Sequence, residues 1–216
     1  MTEFSLDLAL GAHDLGCERG GRQVFAGVAF RVSRGGALLI TGPNGAGKSS
    51  LLRTIAGLVR AARGEIRLEG GDPDLGVGRQ CHYFGHQDAL KPSLTVAENL
   101  EFWRVYNRPT GLETIDALDT VGIGHLADLP AAYLSAGQRR RLALSRLLVS
   151  HRPVWLLDEP QSALDAASET RLAELMRAHR AIGGIIVAAT HQPLLLDAPD
   201  TLRLAPVASP APEVAA

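Results

Sequence analysis

The residues with the clearest chemical purpose are Gly42-Pro43-Asn44-Gly45-Ala46-Gly47-Lys48-Ser49. They fit G-x-x-x-x-G-K-[ST], the phosphate-binding loop. Gly42, Gly45 and Gly47 let the backbone take positive φ and come close to a ligand. The amides of such a loop converge on phosphate oxygens. A helix opening near Lys48 adds its positive dipole end. Lys48 then offers a mobile charge to the β- and γ-phosphates, and the Ser49 hydroxyl a ligand for Mg²⁺. Lys48 and Lys91 are the only lysines among 22 Lys and Arg. In so arginine-biased a chain, a lysine here marks a position that needs a compact ammonium.

A second chemical cluster lies far downstream. Val154-Trp155-Leu156-Leu157 is an apolar run that ends in Asp158-Glu159. Acids at the carboxyl end of a parallel strand face the ligand crevice. One can hold Mg²⁺ and the next can orient an attacking water. Between the clusters, Ser135 and Gln138 have capping-box spacing, so a helix is expected from there to about Ser150. Arg139, Arg140 and Arg141 fall in its first turn, where cations oppose the helix dipole. Either a bound phosphate relieves that conflict or the three form a solvated face.

The elements that must position these groups follow from pattern. Ala37 to Thr41 reads as a buried strand leading into the loop, and Leu51, Leu52, Ile55 and Leu58 carry helical spacing after it. Phe4 to Glu18 and Gln23 to Val32 read as antiparallel strands, the latter with Val24, Ala26, Val28, Phe30 and Val32 on one face. Further strands are expected at Glu65 to Leu68, Cys81 to Gly85, Gly184 to Thr190 and Thr201 to Leu204. Thr95 and Glu98 form a capping box for a helix over Val96 to Tyr106. A second helix spans Leu112 to Val121, with Gly122 placed to stop it. Asp165 caps a helix reaching about His179. The Pro/Ala-rich stretch 206–216 is expected to be disordered.

Bulk properties narrow the class. At 216 residues the chain makes one large domain, or one domain with a small subdomain, and its 46% hydrophobic content is enough for a sizeable core. A net charge of −1 gives no global field for nucleic acid. No apolar run approaches the ~18 residues of a membrane span. The first ten residues carry Glu3 and Asp7 and lack a signal-peptide pattern. Cys17 and Cys81 form no CxxC, so a reducing, cytosolic location is expected.

Taken in order, these motifs resemble the ATP-binding subunits of ABC transporters over about Phe4 to Leu204. The resemblance implies a P-loop NTPase with an ABC-type nucleotide-binding domain over 1–205. An antiparallel β subdomain and a helical subdomain inserted at about 88–150 complete it. ATP contacts fall on Gly42, Pro43, Asn44, Gly45, Ala46, Gly47, Lys48, Ser49 and Ser50. Gln87 matches the Q-loop glutamine. Leu134-Ser135-Ala136-Gly137-Gln138 resembles the LSGGQ signature with Ala136 in place of a glycine. Asp158 and Glu159 match the Walker B acid and catalytic base, Ser162 to Asp165 the D-loop, and His191 the switch histidine. Mg²⁺ is implied at Ser49, Gln87 and Asp158. Two copies are implied to sandwich two ATP molecules head to tail, with Ser135 and the Gly137 amide of one copy reaching the γ-phosphate held by the other. Where the family stacks an aromatic on adenine, this chain has Arg19, whose guanidinium plane can do the same.

A narrower likeness rests on Glu18-Arg19, Gly85-His86-Gln87, Leu94 to Leu100, Leu134 to Arg141 and Thr190 to Leu194. It is to the CcmA family of cytochrome c biogenesis ATPases, also called heme exporter ATP-binding proteins. This implies an ATPase at the cytoplasmic face of the bacterial inner membrane, working with CcmB-like and also CcmC-like and CcmD-like membrane proteins, and not with nucleic acid. The alternatives are an ABC ATPase for another cargo, a soluble ABC protein acting on DNA or ribosomes, and a P-loop kinase. The last is disfavoured by Leu134 to Gln138 and by Asp158-Glu159. Cys81, His82 and His86 invite a heme-ligand reading, but they lack C-x-x-C-H spacing and sit in or beside a buried strand.

Overall fold

The computed structural model describes residues 3–205, so the tail expected over 206–216 lies outside the described residues. Two sheets organise it. Strands β1 (Ala9–Arg19), β2 (Arg22–Ser33) and β4 (Arg63–Glu69) form an antiparallel sheet in the order β2-β1-β4. Strands β3 (Ala37–Thr41), β5 (Cys81–Phe84), β6 (Val154–Asp158), β7 (Ile185–Ala189) and β8 (Asp200–Arg203) form a parallel sheet in the order β5-β6-β7-β3-β8.

Helix α1 (Lys48–Ile55) follows β3, and α5 (Ala166–Ala181) joins β6 to β7. Three helices are inserted between β5 and β6: α2 (Val96–Tyr106), α3 (Thr114–Thr120) and α4 (Ala136–Ser145).

Strands β3, β5, β6 and β7 are largely buried on both faces while the edge strand β8 is mostly exposed, and the period of two divides the core. On β6, Val154 and Leu156 join the cluster under α1 and the antiparallel sheet. Trp155 and Leu157 join the opposite cluster, with Leu142 of α4, Leu118 of α3 and Met176 of α5. The end of β6 is therefore fixed by packing on two sides, and Asp158, its last residue, and Glu159, just after it, inherit that rigidity.

Local chemistry sets most element ends. Thr95 and Ser135 both make full capping boxes, with Glu98 and Gln138. After α3, Gly122 takes φ +74°, its amide bonds Asp119 O, and Ile123 N bonds Leu118 O. This is a Schellman stop. A matching stop at Gly57 ends α1 before Leu58, which is 64% exposed and not part of the helical face expected for it.

Two expectations give way to non-local structure. The alternation expected on β2 breaks at Ala26-Gly27, where two residues oppose the single Gly16 between the pairs Leu15–Val28 and Cys17–Phe25. Gly27 takes φ +67°, and this bulge turns Phe25 into the core while Ala26 faces out. Helix α4 stops at Ser145, short of Ser150. The carbonyls of Leu148 and Val149 instead accept the amides of Leu112 and Gly111.

Candidate functional site

The phosphate loop leaves β3 and turns into α1. Gly42, at φ +139°, runs so close to Leu204 that an added Cβ would lie 2.4 Å from that carbonyl oxygen. Only glycine fits. Gly47 caps α1 at φ +96°, which brings Lys48 to the first helical position. The Lys48 ammonium is buried at the mouth of the loop, donating to Gly42 O at 2.8 Å and Pro43 O at 3.1 Å. Pro43, Asn44 and Gly45 form the exposed crest of the loop, Ala46 packs beneath it, and Ser50 lies half-buried behind it.

The fold brings the downstream carboxylates to this loop from 109 residues away. Ser49 Oγ donates to Asp158 Oδ1 at 2.9 Å. Tyr83 Oη donates to Asp158 Oδ2 at 3.2 Å, and Arg53 Nε donates to Tyr83 Oη at 3.1 Å. Burial holds the Tyr83 hydroxyl above its ordinary pKa, with the Arg53 hydrogen bond opposing it. Asp158 is thus a buried carboxylate aimed by two hydroxyls. Tyr83 and Arg53 are invisible as a pair in the sequence, because their partnership depends on β5 lying beside β6.

Next to it, Glu159 meets His191: His191 Nδ1 is 2.9 Å from Glu159 Oε1. His191 N also donates to Glu159 Oε2 at 3.4 Å. Glu159 sits at φ +49°, outside the strand conformation, which swings its carboxylate off the line of Asp158. Ser49 and Asp158 are hard oxygen donors at hydrogen-bonding distance. That suits Mg²⁺, which takes one or two protein oxygens and fills its remaining positions with water and phosphate. Among the described residues there is no group of three or more His, Cys, Asp or Glu able to hold a metal by itself.

Other expected residues stand apart from this cluster. Gln87 is exposed in the loop after β5, and no hydrogen bond among the described residues joins it to Asp158 or Ser49. Ser135 is exposed, and its hydroxyl accepts from Gln138 N. Gly137 lies against the D-loop, where an added Cβ would be 3.1 Å from Ala163 O. Asp165 caps α5 by accepting from Ser168 N at 2.8 Å. Its hydrogen bonds to Ser168 hold its pKa below the usual carboxylate range. Arg19 is exposed at the β1–β2 hairpin, where Gly20 and Gly21 form a two-residue turn with φ +55° and +72°.

The three arginines after the signature do not form one solvated face, since Arg140 is buried and Arg139 and Arg141 are half-buried. Arg139 donates to Leu134 O, Arg141 to Gly122 O, and Arg140 is buried against the ends of β5 and β6. Each of the three donates to backbone carbonyls of the protein itself. His82 is likewise structural. Its Nε2 lies 2.7 Å from Ser150 O, and burial pushes its pKa down to about 3.

An antiparallel sheet laid over a parallel phosphate-loop core, with helices inserted ahead of the strand that carries the two acids, is the architecture of an ATP-binding cassette. The family model for ABC transporters matches residues 25–162. A solved structure of the ATP binding subunit of an ABC transporter superposes with TM-score 0.74 at 26% identity, covering 84% of this chain and 79% of that one. A dimeric cassette in a post-hydrolysis state bound to ADP and Pi shares the fold at TM-score 0.74 and 24% identity, over 85% of this chain and 88% of its own. The cytochrome c biogenesis ATP-binding export protein CcmA of Nitrobacter winogradskyi is 58% identical over 187 residues, 87% of this chain and 94% of that protein. The chain belongs to the ABC transporter ATP-binding family and, within it, to the CcmA family.

Proposed function

We propose that the chain is the ATP-hydrolysing subunit of a CcmAB-type ABC transporter serving c-type cytochrome biogenesis by heme export. The observation that carries the catalytic half is the 2.9 Å bond from Ser49 to Asp158, with Glu159 and His191 paired beside it. In this reading Gly42 to Ser50 cradles the phosphates and Lys48 turns from its carbonyls to the β/γ oxygens. Ser49 and Asp158 hold Mg²⁺, which supplies charge neutralisation of the phosphates. Glu159 orients the attacking water and accepts its proton, and His191 donates to the γ-phosphate. Gln87 reports the metal site to the membrane partner, and Arg19 stacks on adenine. Catalysis is then positioning and charge stabilisation.

The exposed signature supports a head-to-tail homodimer. No hydrogen bond among the described residues joins Ser135 or Gly137 to the chain's own phosphate loop. These groups are therefore available to a second copy, with Asp165 and the D-loop beside them.

No helix among the described residues is long and apolar enough to cross a membrane. Transport then passes through a CcmB-like subunit, with CcmC-like and CcmD-like proteins alongside, and the ATPase sits on the cytoplasmic face of the inner membrane. A cleft of about 830 Å³ supports that docking. Leu58, Phe102, Trp103 and Tyr106 line it, and the last three come from the helix that follows the Gln87 loop.

The test is deletion of the gene followed by heme staining of membrane and periplasmic proteins. Covalent heme is lost from c-type cytochromes while b-type cytochromes stay intact, and the Lys48→Ala chain fails to restore it. Normal c-type cytochromes in the deletion strain would overturn the cargo assignment and leave the ATPase standing.

A further inference from the structure

Arg140 joins two parts of the site that the motifs describe separately. It lies in the first turns of α4 and is 3% exposed. Its Nη1 donates to Gly85 O at 2.7 Å and to Asp88 Oδ1 at 3.3 Å, on either side of Gln87. Its Nη2 donates to Glu159 O at 2.8 Å and to Asp158 O at 3.3 Å. The guanidinium carbon stands 3.8 Å from the centroid of Phe84, the last residue of β5. Its Nε has no hydrogen-bond partner among the described residues.

Burying a cation among carbonyls is costly, and a well-packed apolar residue often serves stability as well or better. Burial indeed holds the Arg140 pKa below the usual arginine value, with Asp88 opposing the shift. What the guanidinium adds is geometry. Its planar fork presents donors in fixed directions, which a lysine ammonium does not. The peptide it grips is unusual. Glu159 is a non-glycine at φ +49°, a conformation that persists only where the surroundings over-determine it. Its amide donates to Ala189 O at 2.8 Å, and its carbonyl accepts from Arg140. The unit that aims the Glu159 carboxylate is therefore held by β7 on one side and by Arg140 on the other.

We propose that Arg140 is a positioning residue that locks the Glu159 peptide to the Gln87 loop, so that the carboxylate is aimed when that loop is seated. Arg140 touches no nucleotide and acts through its two partners. The proposal rests on the reading of Glu159 as the residue that orients water.

The test uses the full chain with Arg140→Gln and Arg140→Lys. Three quantities are measured: kcat for MgATP, the Kd of a fluorescent ATP analogue, and amide hydrogen exchange resolved to peptides. In Arg140→Gln, kcat falls by about 100-fold, the cost of a small misplacement of a catalytic group, while Kd stays within about threefold because ground-state binding is untouched. Exchange over 85–88 and 158–161 rises by about tenfold and that of α5 does not change, since the opening is local. Arg140→Lys keeps the charge but not the fork, and recovers only part of kcat.

Adding Gln87→Ala to Arg140→Gln lowers kcat less than the product of the single effects, as expected for residues acting as one unit. Wild-type kcat in a folded Arg140→Gln overturns the proposal. So does a kcat loss matched by an equal loss of binding or of folded fraction. If Arg140→Gln does not fold, Arg140→Lys decides on the same criteria. Should the wild-type chain show no turnover at all, the ATPase reading fails, and unchanged exchange at 85–88 and 158–161 then overturns the lock independently.

Discussion

In the proposed function one side chain, Arg19, carries recognition of the base. It closes β1 at a tight hairpin, and Glu18, Gly20 and Gly21 around it are exposed as well. A guanidinium plane offers a face for stacking on a purine, together with cation–π attraction. Arg19→Ala should weaken ATP binding by about 1–3 kcal/mol, the value of one base–aromatic stack. Equilibrium titration reads this as a rise in Kd of about 5- to 150-fold. An unchanged Kd would assign adenine recognition to another residue.

At the scale of elements, what could be read in the sequence was what contiguous residues decide. The phosphate loop is eight adjacent residues whose types are set by backbone conformation, so it is plain in the sequence itself. The Thr95 and Ser135 caps and the Gly122 stop are satisfied within a few residues, and the structure has all three. Contacts that span the fold were hidden. The β2 bulge depends on a partner strand, the early end of α4 on amides of Gly111 and Leu112, and the grip of Arg140 on Gly85, 55 residues away. The run Arg139-Arg140-Arg141 gives no local sign of which member is buried.

The elements flanking β6 also make stability depend on pH. His82 on β5 and His179 on α5 are both buried, His179 stacked on Trp155 at 4.1 Å between ring centroids. Burial is the largest cause in each case and pushes both pKa values down to about 3. Their unfolded values are the ordinary ones, near 6.5, so between about pH 6.5 and 3 the unfolded chain binds more protons than the folded one. Their contribution is whole above pH 6.5 and is lost as pH falls through that window. The loss is at most about 1.4 kcal/mol per pH unit for each histidine. Urea denaturation at pH 7.5, 6.0 and 5.0 checks this. A flat stability across that range would show that both rings charge without unfolding.

The whole molecule has a split site. The phosphate loop and Asp158 converge within one chain, with Glu159 and His191 paired beside them, whereas no hydrogen bond among the described residues joins exposed Ser135 or half-buried Gly137 to them. A nucleotide held on the first set alone has its γ-phosphate contacted from one side. In the proposed function a second copy, offering its own Ser135 and Gly137, would complete the other side, with ATP as an adhesive that hydrolysis removes. This ties dimer lifetime to the chemistry at Glu159. Glu159→Gln keeps the shape and the ability to accept from the His191 amide, but a neutral amide is a poor acceptor for a proton from water. The variant should bind MgATP, turn over about 100-fold or more slower, in line with the loss of a general base, and accumulate as a dimer. Light scattering with ATP and Mg²⁺ should give about twice the monomer mass for Glu159→Gln and close to the monomer mass for wild type after turnover, because ligand that bridges two copies shifts association by mass action. Adding Ser135→Ala to Glu159→Gln weakens that dimer if the signature is the second half of the site. A Glu159→Gln chain that hydrolyses ATP at the wild-type rate removes Glu159 from the chemistry, and one that stays monomeric with ATP bound removes the signature from the site.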